Sequence, residues 1–432
     1  MDRTIRVGLL GCGVVGAGVV RILHDRADDI AARTGARVEV VRVAVRDLTR
    51  DRGLPIPSEA FTADPLEVVD ADDVDIVVEV MGGREPTSEL VRRALKQRRP
   101  VVTANKDLVA REGPELFDIA EEAGVELQYE AAVAGAIPII KPLKESLAGD
   151  RIRRVVGILN GTTNFILTRM TEDGQDYATA LAAAQRLGYA EADPTADVSG
   201  QDAASKCAIL ASLAFDTKVV ADDVYCEGIE RLTAKDIEVA ARLGYVVKLL
   251  AVASEVDEAV AVRVHPAFVP RQHPLAAVRD SFNAIFVQAD AAGELMFYGR
   301  GAGSEPTGSA VVGDIIHVAR HLLQESRGPR ESSHREKRLR AVEELSTQYC
   351  LVLDVEDRPG VLAGVATVFG THDVSIGQVW QEGHGDTAQL VLVTHRAVEG
   401  NLRRTVAALG DAPGVRSVAS VVRVEGESLE VV

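Results

Sequence analysis

The sequence has few cysteines, no long apolar run and no excess of basic residues, and each absence removes a class of protein. Four cysteines in 432 residues, Cys12, Cys207, Cys226 and Cys350, are scattered, so neither a disulfide framework nor a paired metal motif is indicated. No apolar run approaches the ~20 residues of a membrane-spanning helix. The net charge of −17 argues against a nucleic-acid or anionic-membrane partner.

The N-terminus also lacks the pattern of a secretory signal. MDRTIRVGLLG enters an apolar strand directly, without a long apolar segment and cleavage site. Together with the scattered cysteines, this predicts a cytoplasmic protein with reduced thiols. The length is sufficient for two or three domains with real cores.

Residues 1–135 alternate apolar strands with helices. TIRVGLLG, VEVVRVAV, DVDIVVEV and PVVTAN are typical of strands, and helices are predicted over residues 14–32, at EPTSELVRRALKQR and around 113–122. Continuous Val/Ile runs separated by helices indicate a parallel sheet covered on both faces. The pattern predicts an α/β chain that begins with a Rossmann-type, doubly wound domain.

Residues 136–323 show a different pattern. Longer strands such as RIRRVVGILN alternate with Ala-rich helices at 177–187, 201–215 and 233–243. We predict a central α+β domain for catalysis and dimerisation, and leave open a return of the chain to the first domain near 300–323.

The C-terminal part divides into a linker and a compact unit. Residues 324–347 are dense in charge, which predicts a solvated linker; a basic arm for nucleic acid is disfavoured because Glu is interleaved and aromatic residues are missing. Residues 348–432 have the order βαββαβ, which predicts a ferredoxin-like domain.

GCGVVG lies between the first strand and the first helix, where a dinucleotide-binding turn belongs. Gly11 permits the tight turn, Gly13 lets backbone N–H groups approach a pyrophosphate, and Gly16 allows close helix–strand packing. Val14 and Val15 open the helix whose positive end would face the phosphates. A turn without a ligand is the alternative.

Two further strand ends carry candidate ligand residues. In VAVRD, Arg46 can pair with a 2′-phosphate, which favours NADP, while the adjacent Asp47 leaves NAD open. In VTANKD, Asn105 and Lys106 lie at the C-terminal end of a parallel strand, where ligands collect in such sheets.

Asp202 and Lys206 are four residues apart and share one helix face. An exposed helix ion pair is the ordinary alternative. However, residues 203–215 contain no other charged residue, so the helix is expected to be buried. Burial should help Lys206 lose its proton, which suits a proton donor.

Two other functions stay open. Because Cys207 is next to Lys206, the protein could be an enzyme that uses a nucleophilic cysteine. A non-enzymatic sensor is the second alternative.

Five motifs together resemble one family of enzymes, and a sixth resembles a regulatory domain. VVGILNGTTNFILTRM, GCGVVG, TANKD, YEAAVAGAIPII and GYAEADPTADVSGQDAASK resemble the homoserine dehydrogenases, and DRPGVLAGVATVF resembles an ACT regulatory domain. The similarity covers essentially the whole chain. With no aspartokinase-like domain ahead of the dinucleotide fold, it resembles the monofunctional form.

The resemblance implies reversible hydride transfer between L-homoserine and L-aspartate 4-semialdehyde with a nicotinamide cofactor, in threonine and methionine biosynthesis. It implies Lys206 as proton donor to the aldehyde oxygen and Lys106 as an assistant near nicotinamide and substrate. Glu191 and Asp202 would hold the substrate, and Gly303 would close over the cofactor.

The resemblance also implies a cation and an effector. Sodium would be bound at Glu130, Val133, Gly135 and Ile137; oxygen ligands suit such a hard cation, and no His/Cys cluster in the sequence supports zinc or iron. Threonine is the expected effector of the ACT domain, near Gly360. A homodimer or homotetramer is expected, and the alternative is a tail that only oligomerises the enzyme.

Overall fold

The computed structural model describes residues 3–329 and 336–425. The chain forms two compact units. The first unit comprises Met1–Gly161, Asp202–Val224 and Ser281–Lys337, and the second comprises Thr162–Gln201, Tyr225–Asp280 and Arg338–Val432.

The described residues form eighteen strands and thirteen α-helices. The strands are β1 Thr4–Leu10, β2 Arg37–Ala44, β3 Phe61–Thr62, β4 Ile76–Glu79, β5 Val101–Thr103, β6 Leu127–Gln128, β7 Ile152–Ile158, β8 Tyr225–Cys226, β9 Tyr245–Val256, β10 Ala259–Pro270, β11 Phe282–Ala289, β12 Gly293–Arg300, β13 Arg338–Leu339, β14 Ser346–Glu356, β15 Ile376–His384, β16 Thr387–Thr394, β17 Ala397–Val398 and β18 Val415–Val424. The helices are α1 Val14–Asp25, α2 Ala27–Thr34, α3 Leu66–Val69, α4 Thr87–Lys96, α5 Lys106–Ala123, α6 Gly161–Glu172, α7 Tyr177–Arg186, α8 Thr195–Val198, α9 Gln201–Ala214, α10 Ala234–Arg242, α11 Ser304–Gln324, α12 Val361–Thr371 and α13 Glu399–Gly410.

The first unit contains a six-stranded parallel sheet in the order β3-β2-β1-β4-β5-β6. This confirms the predicted Rossmann-type sheet. The strand order reverses between β1 and β4, and in open parallel sheets ligands bind outside the carboxyl ends of the strands at this switch point. GCGVVG follows β1 directly, so the turn lies at this position.

Two helix boundaries differ from the sequence-based prediction. The helix expected over 14–32 breaks at Arg26 into α1 and α2. The helix expected around 113–122 already begins at Lys106, because the side chain of Asn105 accepts a hydrogen bond from the N–H of Leu108 and caps the helix there. This earlier start places Lys106 at the edge of the sheet.

The first unit also includes the long helix α11, which packs against α1. A Cβ atom on Gly18 would lie 2.4 Å from the carbonyl oxygen of Ser304, so only glycine permits this approach. Val311 and Ile315 of α11 are fully buried in the same hydrophobic cluster as β1 and α1. Antiparallel strands β12, β11 and β7 complete the unit.

The second unit contains the predicted C-terminal ferredoxin-like domain. Its elements follow the order β14, α12, β15, β16, α13, β18, which confirms the βαββαβ pattern. Strand β18 pairs with β14 on one side and runs parallel to β10, the partner of β9, on the other. The central and C-terminal segments of this unit therefore share one mixed sheet.

Parts of two predicted segments lie outside the described residues. These are 330–335 in the predicted linker 324–347 and 426–432 at the end of the predicted domain 348–432. Across the described part of the chain, every helix is too short or too polar to span a bilayer.

Candidate active site

The carboxylate of Asp202 joins two lysines from distant parts of the first unit. One oxygen lies 2.7 Å from Nζ of Lys206 on α9, and the other lies 3.0 Å from Nζ of Lys106 at the start of α5. The side chains of Asp202 and Lys206 are only 9% and 12% exposed. The alternative of an ordinary exposed helix pair is therefore not what the structure shows.

The end of β7 supplies two further contacts that the sequence did not indicate. Asn160 donates from Nδ2 to Asp202 at 2.9 Å, and Lys206 donates to the carbonyl oxygen of Leu159 at 2.7 Å. An ammonium group has three N–H donors. The described contacts of Lys206 use two of them, so the third is available to a substrate oxygen.

The charge state of Asp202 is set by its neighbours. Burial alone would raise the pKa of this carboxyl, but the ammonium groups of Lys206 and Lys106 outweigh burial and hold the pKa well below its usual range. Asp202 is thus an anion at neutral pH. It can orient both lysines without itself taking up a proton.

The turn after β1 has the space and the polarity for a pyrophosphate. Gly11 has a φ of +97°, and a Cβ on Gly16 would lie 2.4 Å from the Gly11 carbonyl oxygen, whereas a Cβ on Gly13 would meet nothing within 4 Å. Helix α1 has no acidic residue in its first turn and no side-chain cap. Its N–H groups therefore face an open space, which suits a dinucleotide phosphate.

A second helix begins beside the same turn. Gly303, with a φ of +131°, is the N-cap of α11, and the hydroxyl of Ser304 donates to the Val14 carbonyl at 2.7 Å. The positive ends of α1 and α11 therefore meet at the turn. Val15, by contrast, packs into the hydrophobic core.

Asn105 and Glu79 shape the neighbouring loop. Asn105, expected to touch the cofactor, caps α5 and donates to the carbonyl of Gly83 at 2.7 Å. Glu79, which the sequence did not single out, is fully buried at the end of β4 and accepts from the N–H groups of Met81 and Gly82. These contacts hold the residues that follow β4 at the ligand edge of the sheet.

The loop after β2 is rich in arginine. Arg46 is exposed, whereas the carboxylate of Asp47 accepts from the N–H and hydroxyl of Thr49 in its own turn. Burial raises the pKa of the Cys12 thiol, and Arg52 and Arg21 oppose that rise. Cations thus lie within electrostatic range of the phosphate turn.

The segment expected to bind sodium is anchored by Glu130. Its buried carboxylate accepts from the N–H groups of Ile139, Ile140 and Lys141 at 2.6–3.0 Å. Since an ionised carboxylate offers about four lone-pair sites, one remains. The loop from Val133 to Ile137 has positive φ at Ala134 and Gly135, and backbone carbonyls in such a loop suit a hard cation.

Two residues predicted from the resemblance lie in the second unit. Glu191 is exposed in the loop after α7, where its backbone carbonyl accepts from Gln185 at 3.2 Å. Gly360 caps α12 with a φ of +93°, and a Cβ there would meet nothing within 4 Å. The role of Glu191 stays a prediction.

The second unit also contains a cavity of about 780 Å³ between its central and C-terminal segments. Ser199 and Arg403 are among the residues that line it, and Oγ of Ser199 and Nη2 of Arg403 are buried without a hydrogen-bond partner among the described residues. Arg423 on its wall is paired with Glu227 and Glu399. A hydroxyl and a guanidinium on residues that line one cavity are groups that can bind a small carboxylate.

Three family models match this chain in succession. The homoserine dehydrogenase NAD binding domain matches residues 11–130, homoserine dehydrogenase matches residues 138–316, and the ACT domain matches residues 350–414.

Individual relatives match over nearly the full length. The homoserine dehydrogenase of Corynebacterium glutamicum is 51% identical over 426 residues, which cover 98% of this chain and 96% of that protein. The crystal structure of a homoserine dehydrogenase from Thiobacillus denitrificans has a TM-score of 0.93 at 41% identity and covers 98% of this chain and 99% of that one. A hyperthermophilic archaeal homoserine dehydrogenase in complex with NADPH has a TM-score of 0.64 at 26% identity, over 76% of this chain and 100% of that one.

Full-length identity of this degree leaves one conclusion: the chain belongs to the homoserine dehydrogenase family, and it is an oxidoreductase with a nicotinamide-dinucleotide-binding domain and a C-terminal ACT domain.

Proposed function

We propose that the enzyme transfers a hydride reversibly between L-homoserine and L-aspartate 4-semialdehyde in the cytoplasm, with Lys206 as the proton donor and acceptor. The observation that carries this proposal is the Asp202 carboxylate held between Lys206 and Lys106. The cluster lies near the carboxyl end of β5, the edge at which parallel sheets bind ligands.

The chemistry requires a cation at the reacting oxygen. When bound, the nicotinamide delivers the hydride to the aldehyde carbon or accepts it from the alcohol. The aldehyde oxygen gains negative charge, and the third N–H of Lys206 can donate a proton to it. Asp202 orients Lys206, and Lys106 adds positive charge beside it. Glu191 would bind the substrate ammonium, as the resemblance implies.

NADP is the proposed preferred cofactor. Arg46 is exposed at the end of β2 and can pair with a 2′-phosphate, whereas Asp47, the candidate for a free ribose hydroxyl, is engaged with Thr49. The archaeal relative solved with NADPH is consistent with this preference.

Threonine is the proposed effector. The second unit has two candidate locations: the open turn at Gly360, for which the resemblance implies an interface between paired copies, and the cavity lined by Ser199 and Arg403. Pairing of chains as a homodimer or homotetramer belongs to this proposal.

Replacing Lys206 with Met should lower kcat about 10²–10⁴-fold, because the proton donor is lost while the volume is nearly kept. Asp202→Asn should also lower kcat, since the two ammonium groups would face each other without a counter-charge. Because the pKa of Asp202 is depressed, the carboxyl stays ionised above about pH 5, and the pH profile of kcat there should not report it.

Reduction of NADP by L-homoserine, followed by absorbance, measures these effects. Cys207→Ser is the control on the same helix and should keep near-normal activity. Loss of turnover in Cys207→Ser with activity retained in Lys206→Met would instead favour a cysteine nucleophile and contradict the proposed chemistry. Binding of both ligands without any turnover in the unaltered enzyme would favour a sensor.

Arg46→Ala should raise KM for NADP about 10–100-fold and leave KM for NAD nearly unchanged, because a charged hydrogen bond to phosphate contributes about 1.5–3 kcal/mol. Steady-state assays with each cofactor provide the measurement. Arg33→Ala, an exposed arginine of α2, is the matched control. An equal rise of both KM values would show that Arg46 does not select the 2′-phosphate.

Sodium should raise the melting temperature at constant ionic strength relative to choline. At ten times Kd the added stability is about 1.4 kcal/mol, and in a chain of this size this corresponds to roughly 1–2 °C. Scanning calorimetry in matched sodium, potassium and choline chlorides measures it. Equal melting temperatures in all three salts would remove Glu130, Val133, Gly135 and Ile137 as a sodium site.

Threonine should inhibit the full-length enzyme, and three variants distinguish the two candidate locations. If it binds in the cavity, Ser199→Ala and Arg403→Gln should weaken inhibition up to about tenfold and 100-fold, respectively. If it binds at the paired turns, Gly360→Ala should weaken inhibition instead. An unaltered enzyme that threonine does not inhibit at saturation would contradict the proposal and favour a tail that only oligomerises the chain.

A further inference from the structure

Two histidines and a glutamate meet in the first unit, away from the lysine–aspartate cluster. His317 and His321 are one turn apart on α11, with ring centroids 4.3 Å apart. Glu126 precedes β6. Its Oε1 lies 2.6 Å from Nδ1 of His321, and its Oε2 lies 3.6 Å from Nε2 of His317. One nitrogen of each histidine and a carboxylate oxygen all lie within 4.8 Å of one another.

This ligand set differs in chemistry from the oxygen-rich segment around Glu130. Two imidazole nitrogens and one carboxylate oxygen suit a borderline metal such as Zn²⁺ rather than a hard cation. Ligand atoms about 2.1 Å from a tetrahedral zinc lie roughly 3.4 Å apart. Oε2 of Glu126 is already near this distance from Nε2 of His317, whereas Oε1 lies about 1 Å too close to Nδ1 of His321, so the carboxylate would have to turn slightly to bind the ion.

The carboxylate is oriented by two further donors, as metal ligands usually are. Glu126 accepts from the N–H of Gly328 at 2.8 Å and from Nε2 of Gln128 at 2.8 Å. Nε2 of His317 is buried and has no hydrogen-bond partner within the described residues 3–329 and 336–425. A buried imidazole nitrogen without a partner calls for an explanation, and a bound ion supplies one.

Gly328 leaves a small space beside the ligand atoms. A Cβ atom at this position would lie 3.2 Å from Nε2 of His317 and 3.3 Å from the carboxylate of Glu126. The glycine therefore keeps open the side of the cluster that an ion or its water ligand would occupy.

The surrounding charge does not oppose a cation. Lys141 acts electrostatically on His317, but its ammonium lies 2.7 Å from the buried carboxylate of Asp314. Glu145 acts on the same histidine with the opposite sign. The negative charge of Glu126 is thus left to attract a metal ion.

We propose that Glu126, His317 and His321 form a binding site for a divalent transition-metal ion, with Zn²⁺ as the best chemical match. Water would complete the coordination. The ion would join the last turns of α11 to the edge strand β6 of the parallel sheet. Its role is to stabilise this packing, because none of the three ligands belongs to the proposed catalytic cluster.

The test uses the full-length protein, freed of metal with a chelator and carrying no affinity tag. Titration with Zn²⁺ in a calorimeter should show one equivalent bound per chain and a higher melting temperature. Co²⁺ as a probe should give visible d–d absorption typical of tetrahedral coordination. His317→Ala and His321→Ala should each weaken Zn²⁺ binding more than about 100-fold, and Gln128→Ala about 10-fold.

Two further variants keep the result interpretable. His24→Ala removes an exposed histidine of α1 and should leave Zn²⁺ binding unchanged. Gly328→Ala keeps all three ligands but fills the space beside them, so it should weaken binding with little loss of structure by circular dichroism. Absence of stoichiometric binding, or equal affinity in the His317, His321 and His24 variants, would overturn the proposal.

Discussion

The candidate site depends on one negative charge, that of Asp202. Two ammonium groups brought to the same carboxylate repel each other, because like charges at a largely buried site are weakly screened. The carboxylate between Lys106 and Lys206 removes this repulsion and ties the start of α5 to α9. Without it, neither lysine would stay directed at a common point. Asn160 adds a neutral donor, which fills a further position on the carboxylate without adding charge.

The sequence predicted those parts of the site that are local in the chain. Asp202 and Lys206 are four residues apart on one helix, so their contact follows from helix geometry. The glycines of GCGVVG belong to a turn whose position after an apolar strand is recognisable. Both features can be predicted from residues that are close together in the sequence.

The contacts that were missed connect distant segments. Asn160 meets Asp202 across 42 positions, and Glu126 meets His321 across 195. Asn160 lies within the motif VVGILNGTTNFILTRM, but the sequence does not show that its side chain contacts Asp202, and nothing in the local pattern marks Glu126. Only the completed fold gives these residues their partners.

Helix α11 shows how small residues decide the domain arrangement. Its sequence pattern is typical of any partly buried helix, so the sequence did not decide which domain the helix packs against. The close approach of Gly18 to Ser304 requires two helices to touch at backbone distance. Once they do, the N-terminus of α11 lies beside the nucleotide turn, and both helix dipoles favour the same anion. A substitution that separates them would weaken packing and phosphate binding together.

Regulation by an effector needs a binding site whose occupancy changes the energy of another state. Strand β18 joins the central and C-terminal segments of the second unit, because it pairs with both β10 and β14. Arg423 on β18 is paired with Glu227 and Glu399, and its guanidinium lies over the ring of Tyr349. Arg403 shares Glu399 with it. A carboxylate bound at Arg403 would compete with Glu399 for its guanidinium. The negative charge of Glu399 would then be balanced by Arg423 alone. The pairing of β18 would then respond to the ligand, and by reciprocity any change in that pairing would alter the affinity for the effector.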